Sequence, residues 1–115
     1  MTVTREAWVA ALRSGKYKQN RLSLFRDGAY CCLGVACSLA GVGDGKLRLS
    51  TSITLGEFDP TLPVTLGITE DDMIVLARIN DMKESNFSTI ADTIEALPFR
   101  CVETTARGVS VLKQD

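Results

Sequence analysis

Apolar residues recur at helical spacing along several stretches of the chain and alternate with polar ones in a few shorter runs. Thr4, with Val3 before it and Trp8 after it, has the spacing of an N-cap flanked by a hydrophobic staple. It predicts a helix from about Arg5 to Ser14 with Trp8, Ala11 and Leu12 on one face, ended by Gly15 at the C′ position. Arg21 to Phe25 alternates, Asp27-Gly28 marks a tight turn, and Tyr30 to Leu33 returns, which predicts a β-hairpin. The apolar run Leu33 to Ala40 predicts a short buried helix closed by Gly41. Gly34 marks a strand-to-helix corner where the missing Cβ admits close approach of another backbone. Gly41 to Gly45 is expected to be a flexible connector. Beyond it Leu47, Leu49, Thr51, Ile53 and Leu55 alternate with mostly polar residues, which predicts a half-buried strand, and Pro60 and Pro63 interrupt regular structure.

Thr69 opens the clearest helix. Glu70, Asp71 and Asp72 load its first turn with negative charge, and Ile68 and Met73 repeat the staple spacing. The pattern runs to about Ile79 and breaks at Asn80-Asp81. A second helix starts near Asn86, carries Phe87, Ile90, Ala91, Ile94 and Leu97 on one stripe, and stops at Pro98. The tail reads as a second hairpin, Arg100 to Thr105 and Gly108 to Leu112. The expected fold class is therefore α+β. It is a single domain over residues 1–115, with a small antiparallel sheet (two hairpins plus a strand) packed with three to four helices.

A length of 115 residues suits one domain with one core, and 45% hydrophobic against 23% charged residues is globular composition. No apolar run approaches the roughly 18 residues of a membrane helix, and the first residues carry no basic-then-apolar leader. The expected location is cytoplasmic, away from membranes. The chain has no histidine. That removes Ser-His and Cys-His catalysis, histidine-ligated zinc and histidine pH switching.

Four cysteines, Cys31, Cys32, Cys37 and Cys101, raise two chemical readings. Cys31 or Cys32, where a strand enters a helix, is a candidate nucleophile because a helix N-terminus favours thiolate; the bland alternative is a buried packing thiol. A four-thiolate metal site conflicts with the spacing, since structural zinc sites use C-x₂₋₄-C knuckles and here two cysteines are adjacent. No metal and no cofactor are expected. Gly41 to Gly45 lacks both the P-loop and the dinucleotide patterns. The helix pair over residues 70–97 has helix–turn–helix length, but its second member carries Asp92 and Glu95 and no Lys or Arg, so no duplex DNA is expected.

Charge is split along the chain. Residues 1–50 carry a net +5 and residues 51–115 a net −6. Between Glu6 and Asp27 lie Arg13, Lys16, Lys18, Arg21 and Arg26 with no acid among them. With Tyr17, Gln19, Asn20 and Tyr30 nearby, this stretch has the forks, point charges and aromatic faces of a phosphate or nucleotide site. The candidate ligand-binding residues are Arg13, Lys16, Lys18, Gln19, Arg26 and Tyr30. The same groups suit docking to an acidic protein surface, and plain solvated surface charge is the alternative.

Three blocks together carry a resemblance. They are Trp8-x-x-Ala11-Leu12-Arg13-Ser14-Gly15-x-Tyr17-x-Gln19, Tyr30-Cys31-Cys32-Leu33-Gly34-Val35-x-Cys37, and Asn80-Asp81 with Phe87-x-x-Ile90-Ala91-x-x-Ile94-Glu95. In these the chain resembles a family of small accessory proteins encoded by tailed bacteriophages and prophages. The resemblance implies a protein expressed inside a bacterium, brings no catalytic residues, and by analogy of origin suggests one that counters a host defence. The leading expectation is a non-catalytic binding protein that sequesters a small anionic or nucleotide ligand. Direct inhibition of a host bacterial protein and cysteine-dependent catalysis are the alternatives, and a homo-oligomer is compatible with any of them.

Overall fold

The computed structural model describes residues 3–49 and 54–113. The first helix, α1 (Arg5–Arg13), is N-capped by Thr4, whose side chain accepts the Ala7 N–H, and turns Trp8, Val9 and Leu12 inward. Three two-residue strands follow: β1 (Lys18–Gln19), β2 (Phe25–Arg26) and β3 (Ala29–Tyr30). The expected hairpin is present as β2–β3, turning at Asp27-Gly28 with both residues at positive φ, but its strands differ from those expected: of Arg21 to Phe25 only Phe25 is strand, and of Tyr30 to Leu33 only Tyr30 is. The sheet order is β1-β3-β2, and β1 runs parallel to β3, so this sheet is mixed where an antiparallel one was expected.

The second helix, α2 (Cys32–Leu39), is the centre of the core. Every residue from Cys32 to Cys37 is buried. Cys31 is its N-cap, with Sγ accepting the Gly34 N–H at 3.3 Å, rather than a strand residue. Gly34 is a close-approach position, as its sequence context predicts: a Cβ there would sit 2.1 Å from the Leu24 carbonyl oxygen.

The predicted strand over Leu47 to Leu55 is overturned on both sides of residues 50–53, which lie outside the described residues. A helix, α3 (Asp44–Leu49), precedes them and a 3₁₀ turn (Leu55–Glu57) follows. The Gly43 carbonyl accepts the Lys46 and Leu47 N–H groups, so the glycine-rich connector starts a helix. Leu47 is buried and Leu49 is 84% exposed, an arrangement that reads as alternation yet belongs to one helical turn. Next come α4 (Leu62–Leu66), α5 (Glu70–Asp81) and α6 (Phe87–Ala96). Thr69 and Asp72 close a capping box on α5, and Asn86 caps α6, which starts where a helix was expected. The tail forms its own antiparallel hairpin of β4 (Val102–Thr104) and β5 (Ser110–Leu112), separate from the first sheet.

The class is α+β, with six helices and two small sheets among the described residues. The helices α1 and α5 pack on α2, α6 packs on α1 and α5, and the buried residues form one continuous apolar cluster from Val3 to Ile94. Arg5 locks the far end of this bundle. Its guanidinium donates to the carbonyls of Leu66, Gly67, Ile94, Leu97 and Pro98 and lies over the Phe99 ring, 5.2 Å from its centroid. One side chain thereby satisfies the orphan C-terminal carbonyls of α4 and α6 together.

Candidate functional site

The six residues singled out in the basic stretch separate into supports and free cations. Arg13 ends α1 and pairs with Asp92 and Glu95 of α6, which ties two helices together. Gln19 donates to the Asn80 carbonyl at 3.1 Å and to Ser85 Oγ at 3.3 Å. Tyr30 donates its hydroxyl to Asp44 Oδ1 at 2.7 Å, a bond that raises its pKa, and its ring packs on Tyr17 and Phe25. Arg21 is likewise occupied, donating to the carbonyls of Met82, Lys83 and Ser85. Lys16, Lys18 and Arg26 remain exposed, and among the described residues the one ion-pair partner of the three is Asp27, 3.9 Å from Arg26.

The first sheet puts two of these cations in line. Lys18 pairs with Ala29, and Ala29 with Arg26, so the three form one row across three strands. Residues in register share a face of a sheet. The row therefore has a cation at each end and a small alanine between them, with the end strands about 10 Å apart at the usual strand spacing. The next row, Gln19, Tyr30 and Phe25, points the opposite way, into the body of the protein. None of the described cavities is lined by Lys18, Ala29 or Arg26.

At the end of this sheet the loop over residues 20–24 passes around β3, held by Asn20 N–H to Tyr30 O at 2.8 Å and Cys31 N–H to Leu24 O at 3.1 Å. Its apex is Leu22, at φ 71 and 86% exposed. A leucine in the left-handed region is strained by its Cβ, at roughly 1–2 kcal/mol. It is held there by its own N–H donating to Asp81 Oδ1 at 2.7 Å, with Arg21 anchored just before the apex and Asn20 Nδ2 donating across it to the Ser23 carbonyl. Met82, 59% exposed, follows Asp81 in sequence. Sequence reasoning missed Leu22, because a lone leucine in an alternating segment reads as half-buried. The signal available was Asp81, next to Asn80 in a motif block.

The thiols sit deep. Cys31, Cys32 and Cys37 are buried, and Cys101 is exposed. Burial pushes Cys31 up to about 11, Cys37 up to about 12, and Cys32 well above its ordinary value. At neutral pH the three are protonated thiols with no exposed face, and what they do is cap and fill α2.

The three motif blocks meet in one hydrogen-bond network. Trp8 Nε1 donates to the Cys32 carbonyl at 2.8 Å, the Cys32 N–H donates to Asn80 Oδ1 at 3.1 Å, and Gln19 joins the same asparagine. The blocks are thus a folding signature that fixes α1, α2, β1 and α5 to one another.

A family model described as a domain of unknown function, DUF8296, matches residues 2–46. That segment contains α1, the first sheet with its basic row, Leu22 and α2; Asn80 and Asp81 lie beyond it. No curated protein and no solved structure matches the chain. No described helix is long and apolar enough to cross a membrane.

Proposed function

We propose that the protein is a non-catalytic docking protein that engages an acidic, apolar-pocketed surface on a bacterial host protein. Consistent with the phage accessory family it resembles, the consequence of docking is inhibition of that host function. The observation that carries this reading is Leu22. A leucine held in a strained conformation and almost fully exposed gains nothing for the fold, whereas it suits insertion into a partner's pocket. The row of Lys18 and Arg26 beside it supplies steering and a polar rim for an acidic partner. Small ligands are bound in concave sites, and Lys18 and Arg26 line none of the described cavities, so the alternative reading, capture of a small nucleotide, is best served by a second copy of the chain closing over the row.

The test uses the tagged protein as bait in a bacterial lysate beside two variants, L22G and K18E/R26E. The reading expects a host protein retained by the wild type and lost with both variants, each of which stays folded. Retention of the same protein by both variants would refute docking through this face. A nucleotide carried by the purified protein in native mass spectrometry would replace this reading with ligand capture.

A further inference from the structure

Two faces of α5 have different surroundings. Asp72, Met73, Leu76 and Asn80 are buried, and the helix packs on α2 and α6. The opposite face carries Asp71, Ile74, Val75 and Arg78, all exposed. At 3.6 residues per turn these four fall within an arc of about 100°. Ile74 is 36% and Val75 47% exposed, although the helix already has a full buried face. Neighbouring apolar side chains left in solvent and rimmed by charge mark a surface that another molecule covers.

The charges on this face say what covers it. Asp71 and Arg78 lie two turns apart on one side of the helix, about 10 Å along its axis, with Ile74 and Val75 midway between them. Among the described residues neither Asp71 nor Arg78 has an ion-pair partner. Asp81, the next acid after Arg78 on the helix, accepts the Leu22 N–H at 2.7 Å. The order of acid, apolar pair and base matches itself when the helix is laid antiparallel on a copy of itself. We propose that this face of α5 is a two-fold interface and that a second copy of this chain occupies it. With the axis between Ile74 and Val75, the apolar pairs of the two copies meet at the centre. Each Asp71 then stands opposite the Arg78 of the other copy, so two ion pairs form together. A partner carrying one sign of charge would leave either Asp71 or Arg78 opposed by its own sign, whereas a second copy matches both. Ile74 and Val75 are β-branched and lose little rotamer freedom on packing. A single pair of short helices covers less than the roughly 800 Å² per partner of a standard interface, so the dimer is weak and concentration-dependent. Neither Leu22 nor the row of Lys18 and Arg26 takes part, and the pairing stands independently of the docking reading.

Sedimentation velocity over a concentration series tests this with the wild type, D71R and R78D. The wild type is expected to dimerise reversibly, less so as salt rises. Each single reversal sets like charges against each other at both symmetric contacts, and is expected to weaken self-association by about tenfold or more. Both positions are exposed, so each variant is expected to keep the wild-type circular dichroism. Mixing D71R with R78D puts opposite charges back at both contacts of a mixed dimer. Association close to the wild-type strength is expected from the mixture and from neither variant alone, a rescue that a misfolded variant could not give. A wild type that stays monomeric throughout the series, a dimer indifferent to either reversal, or a mixture that associates no better than its components would overturn the proposal.

Discussion

The side-chain oxygen of Asn80 accepts the backbone N–H of Cys32 at 3.1 Å, joining the last turn of α5 to the first turn of α2. Asn80 is fully buried, and its Nδ2 also donates to the Asn20 carbonyl at 2.7 Å. Replacing it leaves the buried Cys32 N–H and the half-buried Asn20 carbonyl unpaired, each worth about 1–3 kcal/mol at full burial. N80A is expected to lower unfolding free energy by about 3 kcal/mol, read as a shift in the denaturant midpoint at unchanged slope. A loss below about 1 kcal/mol would show that the network is not what holds these elements together.

Gly34 gives a second test of the same corner. A Cβ at 2.1 Å from the Leu24 carbonyl oxygen meets backbone, which cannot rotate away. G34A is expected to cost about 3 kcal/mol or more through forced displacement of the 20–24 loop. Thermal unfolding of the variant checks this, and a near-native midpoint would contradict the packing.

Leu22 sets stability against binding. L22G relieves left-handed strain of roughly 1–2 kcal/mol, partly offset by the greater freedom of glycine in the unfolded chain. The net expectation is a slightly more stable protein, by about 0.5 kcal/mol, that has lost its partner. A clear destabilisation would mean that the leucine packs in the folded chain instead of standing in solvent.

Thiol chemistry and pH follow from burial. Iodoacetamide is expected to modify Cys101 rapidly and Cys31, Cys32 and Cys37 only on unfolding. Because Cys31 holds its proton to about 11 against an ordinary 9.0, the unfolded state loses that proton first as pH rises. Stability is therefore full below about 9 and falls between 9.0 and about 11, by ~1.4 kcal/mol per pH unit for each such thiol. Asp72 acts at the other end. Burial raises its pKa, but the Thr69 amide and Arg100 outweigh that and hold it below its ordinary value, so its contribution is lost as pH falls into the acid range. Denaturant midpoints across pH check both signs.

The helices were legible where caps and apolar stripes agreed. Thr4 caps α1 as expected, and the helices expected to start at Thr69 and near Asn86 do so, each capped by that residue. The region around Leu47 was not, because two leucines one residue apart suit a strand as well as a single helical turn with one buried member, and only tertiary packing on Leu47 decides. The parallel pairing of β1 was equally hidden, since it depends on the loop around β3 and on Gln19 reaching Asn80. Of the candidate site, the sequence identified a basic stretch. It could not tell Arg13 and Arg21, which hold the fold, from Lys18 and Arg26, which share an open row, because partners such as Asp92, Glu95 and the Ser85 carbonyl lie more than sixty residues away.

The most direct test of docking through this face is photo-crosslinking from position 22 in the bacterial host, with and without K18E/R26E. A photo-reactive amino acid replacing Leu22 is predicted to trap one host protein. The yield should fall sharply when the two cations are reversed, and the difference should narrow as salt screens the row. Crosslinks that do not depend on Lys18 and Arg26, or none at all beside a tightly held nucleotide, would contradict the account.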